Sequence, residues 1–66
     1  MTLDELKDRV GRIKASSRDP EAAHSLEDEL RNDLLEAIAE GRVSDPAAAA
    51  QIALETNGFI FPRWCA

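Results

Sequence analysis

The dipeptide Asp-Pro occurs twice, at Asp19-Pro20 and Asp45-Pro46, and each time a run of helix-forming residues follows. An aspartate carboxylate accepts hydrogen bonds from the free N–H groups of a first helical turn. Proline at the next position loses nothing, because its missing N–H has no partner there in any case. Two helix starts are therefore written into the chain. Gly41 supplies a stop, since glycine enters the left-handed conformation that ends many helices. The first of these segments is a central helix over residues 20–40, about 30 Å long.

A third helix precedes them, over residues 3–15. Thr2 is its N-cap, and Glu5 follows at capping-box spacing. Leu3, Leu6, Val10 and Ile13 recur at helical steps, on one face. Gly11 is a mid-helix weakness and is expected to let another helix approach closely. The segment after Asp45-Pro46 propagates from 46 to 56 and stops at Asn57-Gly58. The tail, 59–66, holds every aromatic of the chain (Phe59, Phe61 and Trp64), and Pro62 bars it from continuing as helix. The fold class expected is all-α: a small three-helix domain with an extended aromatic C-terminal tail, one domain over 1–66.

Size limits what this domain can contain. A chain of 66 residues is one domain at most. Its one cysteine, Cys65, excludes an intrachain disulfide, and its Cys and His residues are too few for a structural zinc site. Eleven residues are Ala, which favours helix but adds little core volume. The expected core is thin and encloses no roomy ligand pocket. The N-terminus is too polar for a signal peptide, and no apolar run reaches a membrane span, so the expected compartment is the cytoplasm.

The net charge of −5 is unevenly placed. Residues 1–18 carry a net +2, residues 19–41 a net −7, and the remainder balances. On the central helix Ala23, Leu26, Leu30, Leu34, Ala37 and Ile38 form an apolar stripe, widened by Leu35. Glu27, Asp28, Glu29, Asp33, Glu36 and Glu40 are assigned to the remaining surface. The acidic face invites comparison with a nucleic-acid backbone, and a decoy that inhibits a DNA-binding enzyme is one alternative function. It needs Glu27, Asp28, Asp33 and Glu36 to share one exposed face. Direct nucleic-acid binding is disfavoured, because the basic residues of the first helix are interleaved with acids.

Two further constellations bear on enzymatic chemistry. His24, Glu27 and Asp28 stand at i, i+3 and i+4, a partial metal set that lacks further ligands. A surface His beside acidic neighbours is the plainer reading. Cys65 with His24 as base lacks a group to stabilise charge, and an incidental thiol is the plainer reading. A metal- or thiol-dependent enzyme is thus disfavoured. No catalytic residue, metal ligand or cofactor is assigned.

The stretch Ala23 to Leu30, then Leu35 to Ala39, Asp45 to Ala48, and the closing Phe61-Pro62-Arg63-Trp64-Cys65-Ala66, resembles small uncharacterised proteins of actinobacteria and their phages. The Phe-Pro-Arg-Trp tail is the most specific part. The resemblance implies a bacterial cytoplasm and a phage accessory or regulatory gene, and transfers no catalytic residue.

The expected function is a small non-enzymatic protein–protein interaction module. Its expected contacts with another protein are Glu27, Asp28, Asp33, Glu36, Arg63 and Trp64. The Phe pair is expected to complete the core. Should the first helix be displaced, its Leu3/Leu6/Val10/Ile13 seam could instead form a homodimer.

Overall fold

A computed structural model of the chain describes residues 1–63. It is all-α. Helix α1 spans Leu3–Ala15, α2 spans Pro20–Ala39 and α3 spans Pro46–Leu54; a 3-10 turn over Glu55–Gly58 follows. The long axis of the molecule, 33 Å, is about the length of α2.

The helix starts are capped as the sequence requires. Thr2 Oγ1 accepts from the Glu5 N–H at 3.1 Å. Asp19 Oδ1 accepts from Ala22 N–H at 3.2 Å, and Asp45 Oδ1 from Ala48 N–H at 3.0 Å. Each bond satisfies a backbone donor that a helix start leaves free. At the other end of α2, Gly41 adopts φ +72°. The Arg42 N–H then donates to the Ala37 carbonyl at 2.8 Å and the Gly41 N–H to the Ile38 carbonyl at 3.1 Å. This paired closure is the Schellman ending, and it turns the chain towards α3.

Helix α1 organises the packing. It lies against both α2 and α3, which meet each other far more sparingly. Leu6, Ile13 and Leu30 are fully buried, with Val10, Leu34, Val43 and Phe61 around them. Ala23, Ala37 and Ala49 are also fully buried, so small side chains set the close approach of the helices. Phe61 closes the core from the tail, and Phe59 is half-buried against it.

Three expectations change, and the α1 seam stays within the fold. Gly11 lies in open space, exposed, with nothing within 4 Å of a Cβ placed there. It marks no close helix contact. α3 ends at Leu54 rather than 56, because its last residues tighten into the 3-10 turn, a common helix ending. Leu35 does not join the stripe but is 68% exposed. The Leu6, Val10 and Ile13 seam is buried within the chain, with Leu3 half-buried beside it. A homodimer on that seam requires α1 to leave its place.

Candidate functional site

Glu27 lies in the middle of α2 and is 1% exposed. Its spacing explains this. Ala23, Glu27, Leu30, Leu34 and Ala37 follow one another at steps of four, three, four and three, so Glu27 occupies a core position of the apolar stripe. Burying a lone carboxylate is costly, and such groups persist only when paired and hydrogen-bonded. Arg63 supplies the partner. Its Nε donates to Glu27 Oε1 at 2.9 Å and its Nη2 to Oε2 at 3.2 Å, the two-pronged geometry suited to guanidinium and carboxylate.

Arg63 also binds the backbone it arrives on. Nη2 donates to the Thr56 carbonyl at 2.7 Å, and Nη1 to the Phe61 carbonyl at 3.3 Å. Its guanidinium carbon stands 4.0 Å from the centroid of the Phe61 ring, in cation–π range. Arg31, one turn beyond Glu27, approaches Oε2 at 3.6 Å. Its Nη2 donates to Asn57 Oδ1 at 2.6 Å and Thr56 Oγ1 at 3.3 Å. The buried Thr56 hydroxyl in turn donates to the Ala53 carbonyl at 3.2 Å. Two arginines and one glutamate thus tie α2 to the 3-10 turn and to the tail.

Burial by itself raises the pKa of the Glu27 carboxyl. The hydrogen bonds from Arg63, the adjacent Thr56 hydroxyl and the charges of Arg31 and Arg63 together outweigh it, and the group lies below the ordinary carboxylate value. The same bonds raise the Arg63 guanidinium. Among the described residues no buried side-chain nitrogen or oxygen lacks a partner. The cluster therefore has no idle polar atom aimed at a ligand; it holds the fold together.

The expected contact residues consequently separate. Glu27 is internal, so Glu27, Asp28, Asp33 and Glu36 do not form one exposed face. Asp33 pairs with Arg9 of α1 at 2.9 Å. Asp28 and Glu36 are exposed; Glu36 accepts from Asn32. Arg63 is a closure of the fold rather than a free anchor. Trp64 and Cys65 lie outside the described residues. His24 is buried, not on the surface, with Nε2 3.6 Å from Asp28 Oδ2. Among the described residues no group of three or more His, Cys, Asp or Glu is arranged to hold a metal ion. No described helix is long and apolar enough to cross a membrane.

A second feature has no local signature in the sequence. Because α2 and α3 meet only sparingly, an open groove of about 260 Å³ runs between them. Leu34, Leu35 and Ile38 line one side and Ala50, Ala53 and Leu54 the other; Arg31 stands at one end. Leu35 and Leu54, 68% and 58% exposed, form the two ridges. Position 35 at the margin of the stripe and Leu54 among alanines were the available signals. A broader hollow of about 570 Å³ adjoins Lys14, Glu55 and the exposed Ile60, and no pair of leucines faces across it.

Comparison with protein-family models, curated proteins and solved structures yields no match to this chain.

Proposed function

We propose that the protein is a small non-enzymatic protein–protein interaction module of the bacterial cytoplasm, serving as a phage accessory or regulatory protein. The observation that carries this reading is the pair of exposed leucines, Leu35 of α2 and Leu54 of α3, that line the same groove from the two helices. Large apolar side chains arranged around a concave strip are how helical domains receive partners. The groove is below the ~300–1,000 Å³ of ordinary small-molecule pockets and is open along its length, which favours a macromolecular occupant. The pair of buried Glu27 and half-buried Arg63 serves the module by fixing Arg63 and the last turn.

The test is site-directed photo-crosslinking in the native host cell. A benzophenone side chain at position 35 or 54 is expected to give a discrete adduct with another protein. The same group at Asp8, exposed on α1, is expected to give none. Absence of adducts from both groove positions contradicts the reading.

A further inference from the structure

We infer that Asn57 is a modification site: it deamidates spontaneously through the Gly58 nitrogen, and the β-linked product releases Arg63 from Glu27.

The chemistry needs an amide side chain followed by an unshielded backbone nitrogen. Glycine shields that nitrogen least, because it carries no Cβ. Asn57 and Gly58 are both exposed, and the space around Gly58 is open, with nothing within 4 Å of a Cβ placed there. In the reaction the Gly58 nitrogen gives its proton to water and attacks Asn57 Cγ. The N–Cγ bond forms, the Cγ–Nδ2 bond breaks, and ammonia leaves after taking a proton from solvent. Water then opens the five-membered imide. Opening at Cγ gives aspartate with the ordinary chain. Opening at the α-carbonyl leaves the chain running through Cβ and Cγ. The net change is water consumed and ammonia released, with no redox partner. Asn32, the other asparagine, is placed differently. It lies inside α2 before Asp33, and its Nδ2 donates to Glu36 Oε1 at 3.1 Å.

The position of the pair gives the reaction its consequence. Arg63 Nη2 donates to the Thr56 carbonyl at 2.7 Å and to the Phe59 carbonyl at 3.4 Å. Asn57 and Gly58 are the two residues between those acceptors. The β-linked product inserts one more backbone carbon there, about 1.5 Å of chain. Hydrogen bonds do not tolerate a displacement of that size. The guanidinium loses its grip on the turn, and buried Glu27 loses its two-pronged partner, which is costly. The aspartate product differs. It keeps the ordinary backbone and offers Arg31 a carboxylate where Arg31 Nη2 already reaches Oδ1 at 2.6 Å.

The fold sets the pace. A 3-10 turn holds its residues near helical ψ, which keeps the following nitrogen away from the side-chain carbonyl. Arg31 pins that carbonyl as well. The reaction therefore runs from openings of the turn, whose hydrogen bonds are of the weaker 3-10 kind and open without global unfolding. Deamidation at 57 is a one-way chemical clock on the Glu27–Arg63 closure.

The experiment ages the folded full chain at mildly alkaline pH and maps the products by peptide mass spectrometry and isoaspartyl methyltransferase labelling. Product is expected at 57, with Asn32 intact. Gly58→Ala is expected to slow the reaction about tenfold or more with unchanged circular dichroism. Arg31→Gln is expected to speed it about threefold or more. The β-linked chain, separated by chromatography, is expected to lose the wild-type Arg63 Nε–H resonance and to unfold at lower urea. Asn57→Asp, the ordinary-chain product, is expected to match or exceed wild type. No product at 57, equal product at 32, or a Gly58→Ala rate equal to wild type overturns the site. A slower reaction in Arg31→Gln overturns its restraining role. A β-linked chain with the wild-type Arg63 resonance and urea midpoint overturns the release.

Discussion

Arg63 grips both oxygens of the Glu27 carboxylate across 36 residues of chain. The pair converts an acidic residue in the middle of a core stripe into a tether for the tail. Without it Glu27 would be a buried charge left with Arg31 alone, at 3.6 Å, and Phe61 would lose the arginine that stacks on its ring. A thin, alanine-rich core thus gains a polar closure at the site where the tail crosses α2.

Glu27→Gln keeps the shape of the side chain and removes its charge. At neutral pH the variant is expected to lose about 1.5–3 kcal/mol of stability, the range for a hydrogen bond to a charged group. The folded carboxyl lies below its ordinary value of 4.5. Its contribution is therefore complete above that value and disappears as pH falls through the lower folded value. Urea unfolding followed by circular dichroism at about pH 7 and about pH 3 checks the sign. The gap between wild type and variant should narrow in acid; a constant gap would show that ionisation contributes nothing.

The glycines should respond in opposite directions. Gly11 is exposed in mid-helix with free space around it, so Gly11→Ala should stabilise by roughly 0.5–1 kcal/mol. Gly41 also has free space but holds φ +72°, so Gly41→Ala should destabilise by about 1 kcal/mol through backbone strain. Thermal melts of the two variants test this, and equal shifts would refute the conformational explanation.

These contrasts show what the sequence discloses. Caps and stops are local chemistry, so Thr2, Asp19-Pro20, Asp45-Pro46 and Gly41 mark the helices almost to the residue. The burial of Glu27 was also available, because its spacing to Leu30 and Leu34 is that of a core position. Its charge, shared with the adjoining Asp28 and Glu29, masks that register. Its partner was not legible, since nothing local links residue 27 to residue 63. Nor was the groove, which arises because α2 and α3 both pack on α1 but meet each other only sparingly.

Ala49 is fully buried where helices approach, whereas Ala47, two residues earlier, is exposed. Ala49→Leu should cost about 1–3 kcal/mol by overpacking. Ala47→Leu should change stability by less than about 0.5 kcal/mol. Denaturant midpoints of the two variants provide the comparison, and a well-tolerated leucine at 49 would mean that α3 packs more loosely than described.

The most direct measurement of the central claim, that Glu27 is an internal partner of Arg63 and not part of a binding face, is a double-mutant cycle. Glu27→Gln, Arg63→Gln and the double variant are compared with wild type by urea unfolding at neutral pH. The account predicts that each single change destabilises and that the double variant loses clearly less than the sum of the two. Strict additivity, or an unaffected Glu27→Gln, would contradict it.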